Sequence, residues 1–339
     1  MTIILAILIF GFLIFIHEFG HFTAARIFKV KVKEFAIGMG PRLISKRSEK
    51  SGTVYSLRLL PIGGFVSMAG EDEESDEEGS LNSKPVWQRM IIIAAGAFMN
   101  IVAGMIAVFV IVLSSRLPSN TIGAFGEESV LPSQGFEIGD TIVSINGKSV
   151  HTGYDMREYI IFDGVGPCDV GIIRNGSEKT LYGVSFPTAT EGRLTLGYMD
   201  FKVKEEPKDL LNVFSYTYYY GRFSVSVIWK SLAFLITGKV GVDQMSGPVG
   251  VTSAIGDAAK RSFQSLLDLV ALIALNLGIF NMLPFPALDG GRFVFLLFEL
   301  ITRKKVPKSV EGTIHFIGLI LLMGLMVAVT YKDVLKLFS

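Results

Sequence analysis

The chain has one cysteine, Cys168, in 339 residues. That excludes an intrachain disulfide framework and a cysteine-rich zinc module. Charge is scarce: 19% of residues are Asp, Glu, Lys or Arg, against about a quarter in soluble domains. Neither sign dominates. The 32 basic and 31 acidic residues leave a net charge of +1, without the basic excess of a nucleic-acid-binding protein. Histidine is rare as well, with four in the chain. Apolar residues make up half of it, and the mean hydropathy is +0.49. A disordered chain would be poor in large apolar residues, so disorder is excluded. The balance points to a membrane protein, and the length suggests about two domains.

The apolar residues are concentrated in four stretches. Met1–Ile16 is uncharged and continues through His17-Glu18 to about Phe28. Met90–Leu113 is uncharged, with Asn100 its most polar residue. Val270–Leu288 is broken by Pro284 and Pro286, and Thr313–Thr330 holds only His315 as an ionisable group. A span needs about 20 mostly apolar residues. We therefore expect transmembrane helices over 1–28, 89–114, 264–300 and 311–332. A cleaved signal peptide is the alternative for the first, but no basic segment precedes its apolar run. Arg26, Lys29, Lys31, Lys33, Arg42, Lys46 and Arg47 follow the first span. Arg292, Arg303, Lys304, Lys305 and Lys308 lie between the third and fourth. Both loops are expected in the cytoplasm, with the N-terminus, the segment from about 116 to 265 and the C-terminus outside.

Between the spans, residues 29–70 alternate around turn signals and read as two or more β-hairpins beside the first span. Residues 71–88 form an acidic cytoplasmic loop that begins with the run EDEESDEE, a solvated and flexible stretch. Residues 119–205 have ordinary soluble composition, with short alternating strands and a helix expected over Asp155–Phe162. Residues 210–262 begin with an aromatic segment containing Arg222 and Lys230. It suits a membrane-interface helix, with a fifth span as the alternative.

His17-Glu18-Phe19-Gly20-His21 is an H-E-x-x-H sequence. On a helix, positions i and i+4 share a face, so both imidazoles can reach one ion. Glu18 lies beside them, placed to take a proton from water that zinc has polarised. The chemistry implied is metal-assisted hydrolysis, most simply of a peptide bond. Ionisable residues within a span are expensive and mark a functional site by default. A catalytic zinc needs a third protein ligand and one open position. His151 falls in the external segment, and His315 enters the fourth span. Glu34 lies past the first helix, and the further histidine that some H-E-x-x-H sites add would fall at position 27, which is Ile27. Asp289 is the strongest candidate. It ends the apolar part of the run NMLPFPALDGG (281–291), whose two prolines free backbone groups of a kind tolerated at membrane depth only inside protein or along a cavity.

Together HEFGH and NMLPFPALDGG resemble the site-2 protease family of intramembrane zinc metalloproteases. The likeness covers essentially the whole chain and is nearest the RseP-type bacterial members. The resemblance implies a polytopic α-helical membrane protein with about four transmembrane helices, a membrane-associated β-hairpin region and one extracytoplasmic PDZ-like α/β domain. It implies that His17, His21 and Asp289 bind Zn2+ and that Glu18 is the base. It assigns Asn281 and Pro284, with Gly63 and Gly64 of the hairpin, to substrate binding. Gly135–Asp140 and Ile145–Lys148 carry the PDZ likeness. Leu196, Gly197 and Tyr198 could then receive a peptide carboxylate, or the domain could act as a size filter. Ser246–Gly250 matches an element before the third span. Gly96 and Asn100 match a further family element only in part, since Ala97 stands where proline is expected. The partners implied are the lipid bilayer and single-span membrane substrates such as anti-sigma factors or signal-peptide remnants, at a bacterial inner membrane. Two other readings stand beside this one: a membrane-anchored metalloprotease with a cytosol-facing site, and a non-catalytic PDZ scaffold.

Overall fold

Helix α1 (Thr2–Ile27) is the uninterrupted apolar run that opens the chain. It stops because Lys29 takes a left-handed backbone (φ 56), and the Val30 N–H then turns back onto the Ala25 carbonyl at 2.8 Å, the usual way a helix end satisfies its last carbonyls. The computed structural model describes residues 1–71, 77–241 and 244–336. The acidic residues 72–76, expected as a solvated loop, lie outside those described. The described residues pack as two units, 1–107 with 245–336 and 108–241 with 244.

In the first unit, β1 (Val32–Arg47) and β2 (Val54–Met68) pair antiparallel. Both bend midway. Ile37 faces Gly64 on one side and Leu57 on the other, and Arg47 returns to face Val54. Four extended segments thus lie side by side in the order 42–47, 54–57, 34–37 and 64–68. The separate hairpins read from the alternation are one bent pair. Segment 64–68 is an edge, and it packs along α1.

Four described helices are long and apolar enough to cross a membrane: α1, α2 (Val86–Ser114), α6 (Phe263–Asn281) and α8 (Lys308–Lys336). The aromatic helix α4 (Leu210–Ile236) is not among them. The apolar stretch 264–300 is not one helix. It breaks after Asn281, runs through the loop Met282–Leu288, and restarts as α7 (Asp289–Thr302). Pro284 and Pro286 cannot donate to a helix ladder, which fixes the break there. Helix α1 approaches α2 closely because Gly20 has no side chain. A Cβ there would lie 2.8 Å from the Ala95 carbonyl carbon. Arg89 of α2 grips Glu299 of α7 through two bonds, 2.6 and 3.0 Å, in a nearly dry setting. Asp333 of α8 accepts from the Gly247 and Gly250 N–H groups, both at 2.8 Å, and so caps α5 (Pro248–Arg261) from outside.

The second unit holds a mixed α/β body. Its main sheet runs β10 (Phe201–Glu206), β3 (Leu117–Phe125), β4 (Thr141–Ile145), β6 (Cys168–Arg174) and β7 (Ser177–Val184), all antiparallel, with β5 (Lys148–Ser149) off β4. Strands β8 (Thr188–Glu191) and β9 (Leu194–Gly197) form a separate pair. Helix α3 (Gly153–Asp163) covers the core of Ile122, Ile142, Ile145, Met156, Ile160 and Ile172. Cys168 is buried in that core and packs there as a small apolar side chain. Asp140 is buried against Arg174, which reaches it at 2.6 and 2.7 Å. Burial alone would raise its carboxyl, but Arg174 and the Glu137 N–H hold it below the ordinary value.

Candidate metal centre and catalytic cleft

His17 and His21 are one turn apart on α1, with ring centroids 4.7 Å apart and planes nearly perpendicular. Their Nε2 atoms lie 3.1 Å from one another. Asp289, the first residue of α7, places Oδ2 3.1 Å from His17 Nε2 and 3.3 Å from His21 Nε2. Among the described residues, these three form a group whose ligand atoms lie within 4.8 Å of one another. Lone pairs packed this closely repel unless a cation sits between them. A single proton, even shared between two acceptors, would leave at least one of the three contacts unrelieved. Ligands about 2.0–2.1 Å from a tetrahedral zinc stand about 3.3 Å apart, so the spacing fits that ion. Asp289 Oδ2 is also buried without a hydrogen-bond partner, a costly state that a bound cation would remove.

Helix α2 supports both imidazoles from behind. Ile92, Gly96 and Asn100 recur every fourth residue and so share one face. The Ile92 carbonyl accepts from His21 Nδ1 at 2.8 Å, which leaves Nε2 with a free lone pair. The Asn100 amide meets His17 Nδ1 at 3.4 Å, and its Oδ1 is otherwise buried and unpaired. A half-turn of the amide puts that oxygen on His17 Nδ1–H and satisfies both groups. Between these two contacts stands Gly96. A Cβ there would lie 2.7 Å from His21 Cε1 and 2.8 Å from His17 Cε1.

Glu18 reaches the 64–68 edge, where the Val66 backbone N–H faces its carboxylate. It lines a cavity of about 190 Å³ together with the metal group, Phe65, Val66, Met68, Glu71, Ile93 and Arg292. The open side of the three-atom group therefore faces a carboxylate and a strand edge. Gly64 sits at that edge, where a Cβ would lie 2.9 Å from the Ala36 carbonyl oxygen and 3.5 Å from Glu18 Cγ. Gly64→Val should keep full zinc content and lose at least about tenfold in kcat/KM, because the added methyls press on Glu18 rather than on the ligands. Unchanged cleavage by that variant would separate the edge from catalysis.

The other candidate residues are placed as follows. Glu34 is enclosed by Arg42 (2.5 Å), Ser56 (2.6 Å) and Arg58 (2.8 Å). Burial would raise its carboxyl, but these donors hold it at about 2 and occupy it fully. His151 lies in the second unit, 3.4 Å from Asp155 and stacked on Tyr219. His315 accepts the Ala287 N–H at Nδ1. None of the three joins the metal group. Asn281 ends α6, Pro284 is exposed in the loop, and neither lines the cavity. Gly63 has φ 90 and turns the chain into the edge segment. Leu196, Gly197 and Tyr198 line a cleft of about 570 Å³ in the second unit, with Pro118, Tyr154 and Arg157. Glu71 and Arg292 are bonded at 2.5 Å in the cavity wall, whereas the sequence reading counted them only as loop charges. The one available signal was Arg292's position, one turn after Asp289.

The profile of Peptidase family M50 matches residues 5–325. A Clostridium acetobutylicum protein named "Putative zinc metalloprotease" is 38% identical over 334 residues, 98% of this chain and 97% of its own. The Bacillus subtilis "Regulator of sigma-W protease RasP" is 31% identical over 422 residues, covering 99% of each chain. The Geobacillus kaustophilus "Zinc metalloprotease RasP" is 30% identical over 421 residues, 99% of this chain and 98% of its own. With a family match over residues 5–325, a zinc-compatible site and, among the described residues, four helices fit to span a bilayer, this chain belongs to peptidase family M50, the site-2 proteases, and is a multi-pass membrane zinc metalloprotease.

Proposed function

We propose that the chain cleaves single-span membrane proteins within or near the bilayer, with His17, His21 and Asp289 as zinc ligands and Glu18 as general base. One observation carries this reading: three ligand atoms converge on the second half of a spanning helix, beside a carboxylate that is not one of them. Zinc, when bound, supplies polarisation of water and of the scissile carbonyl. Glu18 takes a proton from the attacking water and returns it to the leaving amide nitrogen, so the C–N bond breaks with protons balanced. The Ile92 carbonyl and Asn100 fix the tautomer of each imidazole. A helical substrate hides its amides in its own hydrogen bonds. The 64–68 edge offers an unwound substrate a strand to pair with, next to Glu18. Asn281 and Pro284 belong to the substrate path in this reading, at the broken end of α6.

Residues 119–205 are read as one PDZ-like domain, whose cleft at Leu196–Tyr198 receives a peptide end or, alternatively, whose bulk excludes large ectodomains. The distribution of Lys and Arg supports a topology with the termini and this domain outside the cytoplasm. Anti-sigma factors and signal-peptide remnants fit as substrates once they present a single span trimmed of any large external domain.

The test uses the full chain purified in detergent, with metal analysis and a single-span substrate. Wild type should hold one zinc per chain and cleave within or beside the apolar segment. Asp289→Ala should lose most of its zinc and its cleavage together. Full zinc in Asp289→Ala, or cleavage confined to water-soluble unfolded protein, would overturn the reading.

A further inference from the structure

The loop that delivers Asp289 is held from α8. Ala287, two residues before Asp289, has φ 74, a left-handed backbone that residues with a Cβ rarely adopt. Its N–H donates to His315 Nδ1 at 2.8 Å, a contact across 28 residues. A ring that accepts at Nδ1 carries its proton on Nε2. The same ring lies edge-on to Phe295 of α7, with centroids 5.7 Å apart. One turn along α8, Gly318 lets the helix rest on the loop, since a Cβ there would meet the Pro286 carbonyl oxygen at 2.6 Å. His315 thus touches both flanks of Asp289, the loop before it and the helix after it.

We propose that His315 is a positioning residue of the metal centre. By accepting the Ala287 N–H it holds the left-handed turn, which sets where α7 begins and where the Asp289 carboxylate points. Proline supplies rigidity at 284 and 286. At Ala287 neither proline nor glycine fixes the backbone, so a tertiary hydrogen bond supplies what the local sequence lacks. The inference rests on Asp289 being a zinc ligand, and the test separates the two.

Zinc affinity is measured by competition with a chromogenic chelator, on the full chain in detergent. The variants are His315→Leu, His315→Asn, Ala287→Gly and the double variant combining His315→Leu with Ala287→Gly. Loss of a supporting partner of a ligand weakens metal binding by roughly 10–100-fold, and His315→Leu should fall in that range. Asparagine can present an acceptor near the position of Nδ1, so His315→Asn should stay close to wild type. Glycine enters the left-handed region unaided, so His315→Leu should cost less in the Ala287→Gly background. A role in packing alone would make Leu and Asn equally harmful. Wild-type affinity in His315→Leu, equal losses in the Leu and Asn variants, or an undiminished loss in the Ala287→Gly background would each overturn the proposal. Asp289→Ala runs in the same titration. If it binds zinc normally, the ligand assignment fails. If it loses zinc while His315→Leu does not, only the positioning role fails.

Discussion

Glu18→Gln is expected to bind zinc like wild type and to lower kcat by about a thousandfold, the middle of the range for removing a general base. Glutamine has the shape of glutamate but cannot accept a proton at neutral pH. Glu18 is not one of the three converging ligand atoms, so the metal group survives the change. Its carboxylate faces the Val66 N–H, and glutamine can keep that contact through its amide oxygen. KM should therefore change little, which assigns the loss to the chemical step rather than to binding. Metal analysis and initial rates on one preparation check both halves. Retained turnover would sink the base assignment. Loss of zinc in this variant would instead make Glu18 part of the ligand set, although it stands outside the group formed by His17, His21 and Asp289.

The helices and the chemistry were legible for the same reason: each is written in contiguous residues. The spans α1, α2, α6 and α8 are apolar runs with few interruptions. The i and i+4 spacing of His17 and His21 places them on one face without knowledge of the rest of the fold. What stayed illegible depends on residues far apart in the chain. Ile92 contributes a backbone carbonyl, which its side chain does not advertise. Gly96 and Asn100 stand out in the sequence, but their role requires the register of α2 against α1. Glu34 is a plausible ligand by type alone, and only the fold brings Arg42, Ser56 and Arg58 around it. His315 is equally plausible until its Nδ1 is seen to hold Ala287. The bend that turns two strands into four segments depends on tertiary pairing, since alternation alone cannot say which neighbour each strand takes. The prolines at 284 and 286 do signal a break, but not that α7 restarts with Asp289 as its first residue.

Gly96→Ala, a change of one methyl, should cost as much zinc affinity as losing a supporting partner, roughly 10–100-fold. It should destabilise the zinc-free protein by about 1–3 kcal/mol, the usual cost of overpacking. The added Cβ would stand 2.7 Å from His21 Cε1 and 2.8 Å from His17 Cε1, well inside contact distance. Three escapes are blocked. The rings cannot turn aside without breaking the bonds to the Ile92 carbonyl and Asn100. Helix α2 cannot retreat without opening the gap that Gly20 closes against Ala95. The imidazoles cannot shift outward together without leaving Asp289, whose helix α7 is tied to α2 through Arg89 and Glu299. Gly324→Ala is the matched control, because nothing lies within 4 Å of a Cβ at that position on α8. It should leave zinc affinity and turnover unchanged. Normal zinc binding by Gly96→Ala would mean that the α1–α2 contact has slack, and the close fit behind the two histidines would then not govern the metal site. A loss confined to Gly96→Ala would place the metal site's tolerance at one position of α2, set by the absence of a side chain.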